Sequence, residues 1–195
     1  MWFDMRFAVL NNAQTEEVYL ARMTADFPPE ELKPLARIRR AVAEGRYLCS
    51  GLFDGEALLA YGFFVILREN GRTELLLDYF AVDAAHRGQG IGSAYLRTLP
   101  GQFSEAGAVL IEAEVPESAV SDADRLLRER RIRFYQRNGC RDSGLEAEVF
   151  GVRFRLLELP LRTAHAPAEI RQIYSALYRQ ILPPAVFRAQ IRLCD

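Results

Sequence analysis

Residues 75–96 read LLLDYFAVDAAHRGQGIGSAYL. An apolar run from Leu75 to Val82 gives way to a polar stretch, then to glycines at alternate positions (Gly88, Gly90, Gly92), then to a segment that can open a helix. Glycine has no Cβ, so its backbone reaches dihedral angles closed to other residues and lets a ligand approach closely. Such a loop ahead of a helix gathers several N–H groups at the positive end of the helix dipole, where an anion is favoured. Each charge-assisted bond there contributes about 1.5–3 kcal/mol, so three or four can hold a pyrophosphate.

Spacing narrows the phosphate chemistry. A triphosphatase loop needs GxxxxGK[ST], and no lysine stands here. Glycines at 88, 90 and 92 make GxGxG rather than the dinucleotide GxGxxG, and hairpin strands precede them instead of a βαβ start.

Upstream, Met5 to Leu10 reads as a first strand, and Thr15 as the cap of a helix with Glu16 and Glu17 in its first turn. Pro28-Pro29-Glu30-Glu31 opens a second helix with Leu32, Leu35, Ile38 and Val42 at helical spacing, kinked by Pro34 and ended by Gly45. Tyr47 to Phe53 and Ala57 to Leu67 follow as strands around Asp54-Gly55. Asn70-Gly71 marks a type I′ hairpin into Thr73 to Val82. Downstream of the glycine loop come a helix ending near Gly101, a strand at Val109 to Val115, and a helix at Ser121 to Arg137 closed by Asn138-Gly139. Strands around Glu146 to Phe150 and Val152 to Leu159 are split by Gly151. Hairpins followed by strand–helix–strand–helix–strand predict an α/β (α+β) protein with a central mixed, mostly antiparallel sheet and helices on both faces. The proline-bracketed stretch from Pro160 to Pro167 separates a domain over residues 1–159 from a C-terminal helical appendage, residues 160–195, packed on it.

The 195 residues carry 25 basic and 26 acidic side chains, a net charge of −1, which argues against a nucleic-acid partner. No apolar run approaches a membrane span of about 18 residues, and Asp4 and Arg6 interrupt the N-terminal apolar stretch. Cys49, Cys140 and Cys194 form no paired framework, and with His86 and His165 as the two histidines no metal site is expected. A cytoplasmic protein is the expectation; nothing signals an oligomeric state. Lys33 is the single lysine. Charge is also segregated. Thr98 to Asp124 holds six acids and no basic residue, a local −6, whereas Arg125 to Arg141 holds seven arginines and Glu129, a local +6.

The run Arg87-Gly88-Gln89-Gly90-Ile91-Gly92, in its strand–loop–helix setting, resembles the Arg/Gln-x-x-Gly-x-Gly/Ala motif of the GNAT superfamily of acyl-CoA-dependent N-acetyltransferases. The order of elements from Met5 to Leu159 resembles the whole GNAT fold. The resemblance implies acetyl-CoA as cosubstrate, its pyrophosphate contacted by Arg87, Gly88, Gln89, Gly90, Ile91, Gly92 and Ser93. Its pantetheine arm would pair with the backbones of Ala81 and Val82. A backbone N–H near Phe80 to Val82 would meet the oxyanion. Ile132 to Cys140 resembles the family's second signature, Tyr-x-x-x-Gly-Phe, which implies that Tyr135 protonates the departing thiolate. A phenol suits that task because it carries its proton without prior charge. Cys140 replaces the usual aromatic residue. Arg128 stands where many members have a cofactor-contacting asparagine, and an arginine there can reach a phosphate.

The acceptor, a small-molecule or peptide amine, must lose a proton to attack. Glu112 and Glu114, two apart on one face of a strand, are the candidate bases, with Asp78 and Tyr79 further candidates. A primary amine attacking acetyl-CoA directly is the expected reaction. The rival readings are a non-catalytic acyl-CoA-binding module, and an interaction domain using Ala168 to Leu182, where Ile170, Ile173, Leu177 and Ile181 fall at helical spacing.

Overall fold

The computed structural model describes residues 5–194. Its strands are hydrogen-bonded in the order β1-β2-β3-β4-β5-β7-β6-β8, a mixed and mostly antiparallel sheet accompanied by helices, in accord with the expected fold class. The chain divides into two compact units, one holding residues up to Ile66 together with Asp78–Thr98, the other Leu67–Leu77 and everything from Leu99 onward.

The first unit contains β1 (Met5–Val9), α1 (Asn12–Val18), a π-helical turn (Tyr19–Met23) running into α2 (Thr24–Asp26), α3 (Leu35–Ala43), β2 (Tyr47–Asp54), most of β3 (Ala57–Glu69), the end of β4 (Arg72–Val82) and the start of α4 (Ile91–Gln102). Strands β1, β2 and β3 pair antiparallel, with Phe7 opposite Leu52 and Cys49 opposite Phe63. Phe63, Phe64, Met23, Ile38, Tyr95 and Leu96 are buried and form the interior of this unit.

Two local expectations are corrected here. The first helix is capped by Asn11, not Thr15: the Asn11 side-chain Oδ1 accepts from Gln14 N–H, and the Gln14 side chain accepts in turn from Asn11 N–H. Asn-x-x-Gln satisfies two amides reciprocally, and Thr15 is buried one turn further on. Pro28 to Glu31 makes only a short 3₁₀ turn, and the second helix begins after Pro34 instead of being kinked by it. Proline has no N–H to give a preceding carbonyl and drives the residue before it into extended geometry, but it opens a helix readily.

The second unit contains the β3–β4 hairpin, β5 (Ala106–Glu114), α5 (Asp122–Arg137), β6 (Arg141–Val149), β7 (Val152–Pro160), α6 (Pro167–Ile181), α7 (Pro184–Gln190) and β8 (Ile191–Cys194). The hairpin turns at Asn70 (φ +52°) and Gly71 (φ +75°), the two positive φ angles that a type I′ turn requires. β4 pairs parallel to β5, whereas β5–β7, β6–β7 and β6–β8 are antiparallel. Strand β6 starts at Arg141, earlier than the apolar pattern suggests, with an irregularity between Asp142 and Glu146 where Gly144 takes φ +73°.

The segment after Pro160 is not purely helical. Ile191–Cys194 adds a strand to β6, placing Ile191 opposite Val149. The buried stripe of α6 is Ile170, Tyr174, Leu177 and Tyr178, displaced from the aliphatic stripe by its tyrosines. Upstream of α6, the N–H groups of Leu161, Arg162 and Thr163 all point to Gly107 O at 2.9–3.1 Å. His165 lies between Glu158 (Nδ1 to Oε1, 2.7 Å) and Glu74 (Nε2 to Oε1, 3.2 Å), all three buried. Leu177 is fully enclosed, so Leu177→Ala should cost about 2–5 kcal/mol. Urea titration would read this as a lower midpoint at unchanged slope.

Candidate active site

In the first unit the glycine loop is a tight turn. Gly88 and Gly90 have φ of +77° and +84°, and no heavy atom lies within 4 Å of where a Cβ would stand at either. These angles, rather than crowding, demand glycine, and the open space beside them leaves the backbone exposed to a ligand. The first closed bond of α4 is Ala94 N–H to Gly90 O (2.9 Å), so the amides of Ile91, Gly92 and Ser93 have no intrahelical carbonyl to serve. This is the donor set a pyrophosphate needs, and the site fits it.

Side chains around the loop fix its shape. Asp83 caps the turn: its Oδ1 accepts from Ala85 N–H (3.1 Å) and lies 2.8 Å from His86 Nδ1, while its Oδ2 pairs with Arg22. The His86 bond first, then the Ala85 amide and Arg22, hold its carboxyl below the usual range. Arg87 donates to Val82 O and to Asp26 Oδ1, both at 3.1 Å, and Gln89 donates to Ala85 O at 2.9 Å. Arg87 and Gln89 thus brace the loop with their side chains and leave their amides to a ligand. The Tyr95 hydroxyl, 2.6 Å from Ser50 Oγ, seats α4 on β2, and the Tyr95 ring meets Phe7 and Phe80. Ala81 is buried and Val82 half-buried at the end of β4.

Also in the first unit, Asp78 forms a cluster with residues far away in sequence. Its carboxylate accepts from Lys33 Nζ through both oxygens (2.6 and 2.8 Å) and from the Tyr47 hydroxyl. The Tyr79 hydroxyl accepts from Lys33 N–H (2.9 Å) and donates to Glu31 O (2.7 Å), and burial pushes this phenol up to about 12. Nothing in the spacing of Lys33, Tyr47 and Asp78 announces this; a lone acid within the apolar run of β4 is the one sequence signal.

In the second unit, Glu112 and Glu114 leave β5 on the same side and meet different helices. Glu112 Oε1 accepts from the hydroxyls of Tyr174 and Tyr178 of α6, the latter at 2.7 Å. Glu114 pairs with Arg128 (2.7 Å) and Arg131 (3.5 Å) of α5. Arg128 also reaches Asp124, Val115 O and Ser118 Oγ at 3.0–3.1 Å, with its side chain 14% exposed. Arg128 thereby fastens the first turns of α5 to the end of β5. Its donors are committed to the protein's own oxygens. Tyr135 sits near the end of α5, 7% exposed and packed against Phe134. Burial pushes its phenol up to about 12, Arg131 opposing.

Residues 48–140 match the family model of the acetyltransferase (GNAT) domain. The chain carries a GNAT acetyltransferase domain. Among solved structures it resembles a putative GNAT-family acetyltransferase from Bacteroides thetaiotaomicron, at 19% identity over 87% of this chain and 93% of that one, with a TM-score of 0.65. It also resembles the ribosomal-protein-S18-alanine N-acetyltransferase of Escherichia coli (18% identity; 83% and 97% covered; TM-score 0.54) and Arabidopsis thaliana NAA60 in complex with acetyl-CoA (14%; 80% and 97%; 0.56). At these identities the likeness is one of fold. No curated protein matches in sequence. Among the described residues no helix is long and apolar enough to cross a membrane.

The two kinds of arginine in α5 are separable. Arg128→Ala should cost about 2–4 kcal/mol, since it strands Glu114, Asp124 and the Val115 carbonyl. Arg125→Ala, at an arginine 54% exposed and paired only with Asp122 at the surface, should stay within about 0.5 kcal/mol. Chemical denaturation of both variants would check the contrast.

Proposed function

We propose that this enzyme transfers an acetyl group from acetyl-CoA to a primary amine by direct attack within a ternary complex. The single observation that carries the reading is the glycine turn at the start of α4, whose positive φ angles, open flank and unclaimed helix-initial amides suit a pyrophosphate. In this reading the amides from Arg87 to Ser93 bind the cosubstrate's phosphates, and the backbones of Ala81 and Val82 pair with its pantetheine arm. Arg128 ties α5 to the end of β5.

The acetyl thioester supplies an activated acyl group. What the chain must add is proton management. The amine becomes nucleophilic on losing a proton, and we assign its acceptance to Glu112, which two phenols meet, over Glu114, whose charge two guanidiniums offset. The departing sulfur needs a proton, which the Tyr135 hydroxyl provides. A phenol raised to about 12 stays protonated across the neutral range and so holds a proton to share with the developing thiolate as the C–S bond breaks. Neither buried thiol serves as a covalent carrier. Burial pushes Cys140 up to about 12 and Cys49 higher still, so neither is a thiolate near neutrality.

A primary amine as acceptor is supported by the solved relatives, whose names specify an alanine of ribosomal protein S18, spermidine and an aminoglycoside. Three free cysteines accord with a reducing, cytoplasmic setting.

An amine panel with acetyl-CoA, read as CoA release, tests the reaction; absence of turnover with every primary amine would remove the proposal. Tyr135→Phe should lower kcat about 10²–10⁴-fold with little change in acetyl-CoA affinity. Because the raised phenol pKa moves its deprotonation upward, wild-type turnover should show no loss from Tyr135 ionisation below about pH 11. Unchanged turnover in the Phe variant would take Tyr135 out of the chemistry. Gly90→Val forces a β-branched residue to φ +84° and should abolish acetyl-CoA binding by calorimetry while the far-UV circular dichroism stays native.

A further inference from the structure

The chain uses arginine for 24 of its 25 basic side chains, and its single lysine is the residue that meets Asp78. The contact is end-on: Lys33 Nζ lies 2.6 and 2.8 Å from the two carboxylate oxygens and 5.2 Å from the centre of the Tyr79 ring. A compact ammonium fits such a seat, a buried carboxylate on one side and an aromatic face on the other. The Asp78 side chain is 5% exposed and that of Lys33 29%, so the carboxylate is approached from the side the lysine occupies.

The segment carrying Lys33 belongs to no sheet and no long helix. Pro28 to Glu31 is exposed, and Pro34 closes the stretch. It is held down by hydroxyls: Tyr79 bridges Lys33 N–H and Glu31 O, and Tyr19 donates to Lys33 O (2.9 Å). It is therefore a strap whose inward-pointing tip is a primary ammonium.

We propose that Asp78, Tyr79 and Tyr47 form a binding site for a primary alkylammonium group, and that Lys33 is its tethered occupant, displaced when a cationic acceptor presents a second ammonium. The site stands on its own geometry. The identification of the displacing ligand as an acceptor, a diamine, rests on the acetyl-transfer reading. Lys33 acts as a built-in competitor, so acceptors with one amine are handled without moving the strap, and diamines bind at the cost of lifting it.

The test separates the two layers. Lys33→Ala opens the seat, and n-butylammonium chloride is titrated into the variant without acetyl-CoA, against sodium chloride at equal ionic strength. Saturable binding with Kd on the order of 10 mM, raising Tm, is expected for so small a ligand. It should be lost in Lys33→Ala/Asp78→Asn and absent in the wild type. No saturable binding to a folded Lys33→Ala variant overturns the site, whatever the enzyme acetylates. Kinetics supply the second arm: Lys33→Gln, which keeps the stem and drops the charge, should lower KM for 1,4-diaminobutane about tenfold relative to n-butylamine. An unaltered ratio overturns the tether, and this variant answers the question if Lys33→Ala does not fold. Butylammonium binding together with no turnover on any amine would leave the site standing and remove the acetyl-transfer reading.

Discussion

Parallel pairing between β4 and β5 is the constraint from which the rest follows. Two parallel neighbours cannot be joined by a tight turn, so the chain must leave β4 at its carboxyl end, cross over, and re-enter β5 from the other end of the sheet. A helix is the efficient crossover, and α4 necessarily begins where β4 finishes. Its unpaired amides and positive dipole end are thereby delivered to the carboxyl edge, and what the local sequence decides is whether that edge is open or plugged. Gly88 and Gly90 leave it open. Asp83, Arg87 and Gln89 hold the turn in place without filling it, each bonded to a neighbour in the same segment or to the nearby helix α2.

Charge segregation along the chain resolves into neutral contacts in space. The acid-rich stretch ends on β5 and the first turn of α5, and the arginine-rich stretch is the remainder of α5, so Glu114, Asp122 and Asp124 fall opposite Arg128, Arg131 and Arg125. Acids in the first turn and arginines beyond it also suit the helix dipole. A run of seven arginines that looks like a polyanion surface is largely a set of ties. Arg128, the most enclosed of those tied to Glu114, is the one with the most oxygens around it.

Features that depend on backbone conformation were legible in the sequence. Asn70-Gly71, the glycine loop, and Gly139 (φ +91°) behind α5 are all written in residues that tolerate positive φ, and the structure uses each as such. Phe150 (φ +48°) breaks the pattern: the β6–β7 turn needs positive φ at two positions, and only Gly151 advertised it. Strand β8 was invisible because four residues have no period of their own, and their strand geometry is imposed by β6. Side-chain partnerships were the least legible. Lys33 and Asp78 are 45 residues apart, Glu112 and Tyr174 are 62 apart, and only the folded chain brings them together. The hint that existed was of one kind, a solitary carboxylate inside an apolar run: Asp78 in β4 and Glu158 in β7. Burying such a group unpaired is prohibitive, so each one signals a partner without naming it.

The strand β8 has a consequence for how the protein behaves in company. A sheet that ended at β6 would present a nine-residue border of unsatisfied amides and carbonyls, an invitation to recruit strands from other molecules. The last described residues cover part of that border with a strand of four, too short to be a good template itself and carrying Arg192, which is 71% exposed in its side chain, outward. The tail thus works as a selvedge, finishing the weave where it would otherwise fray into aggregation.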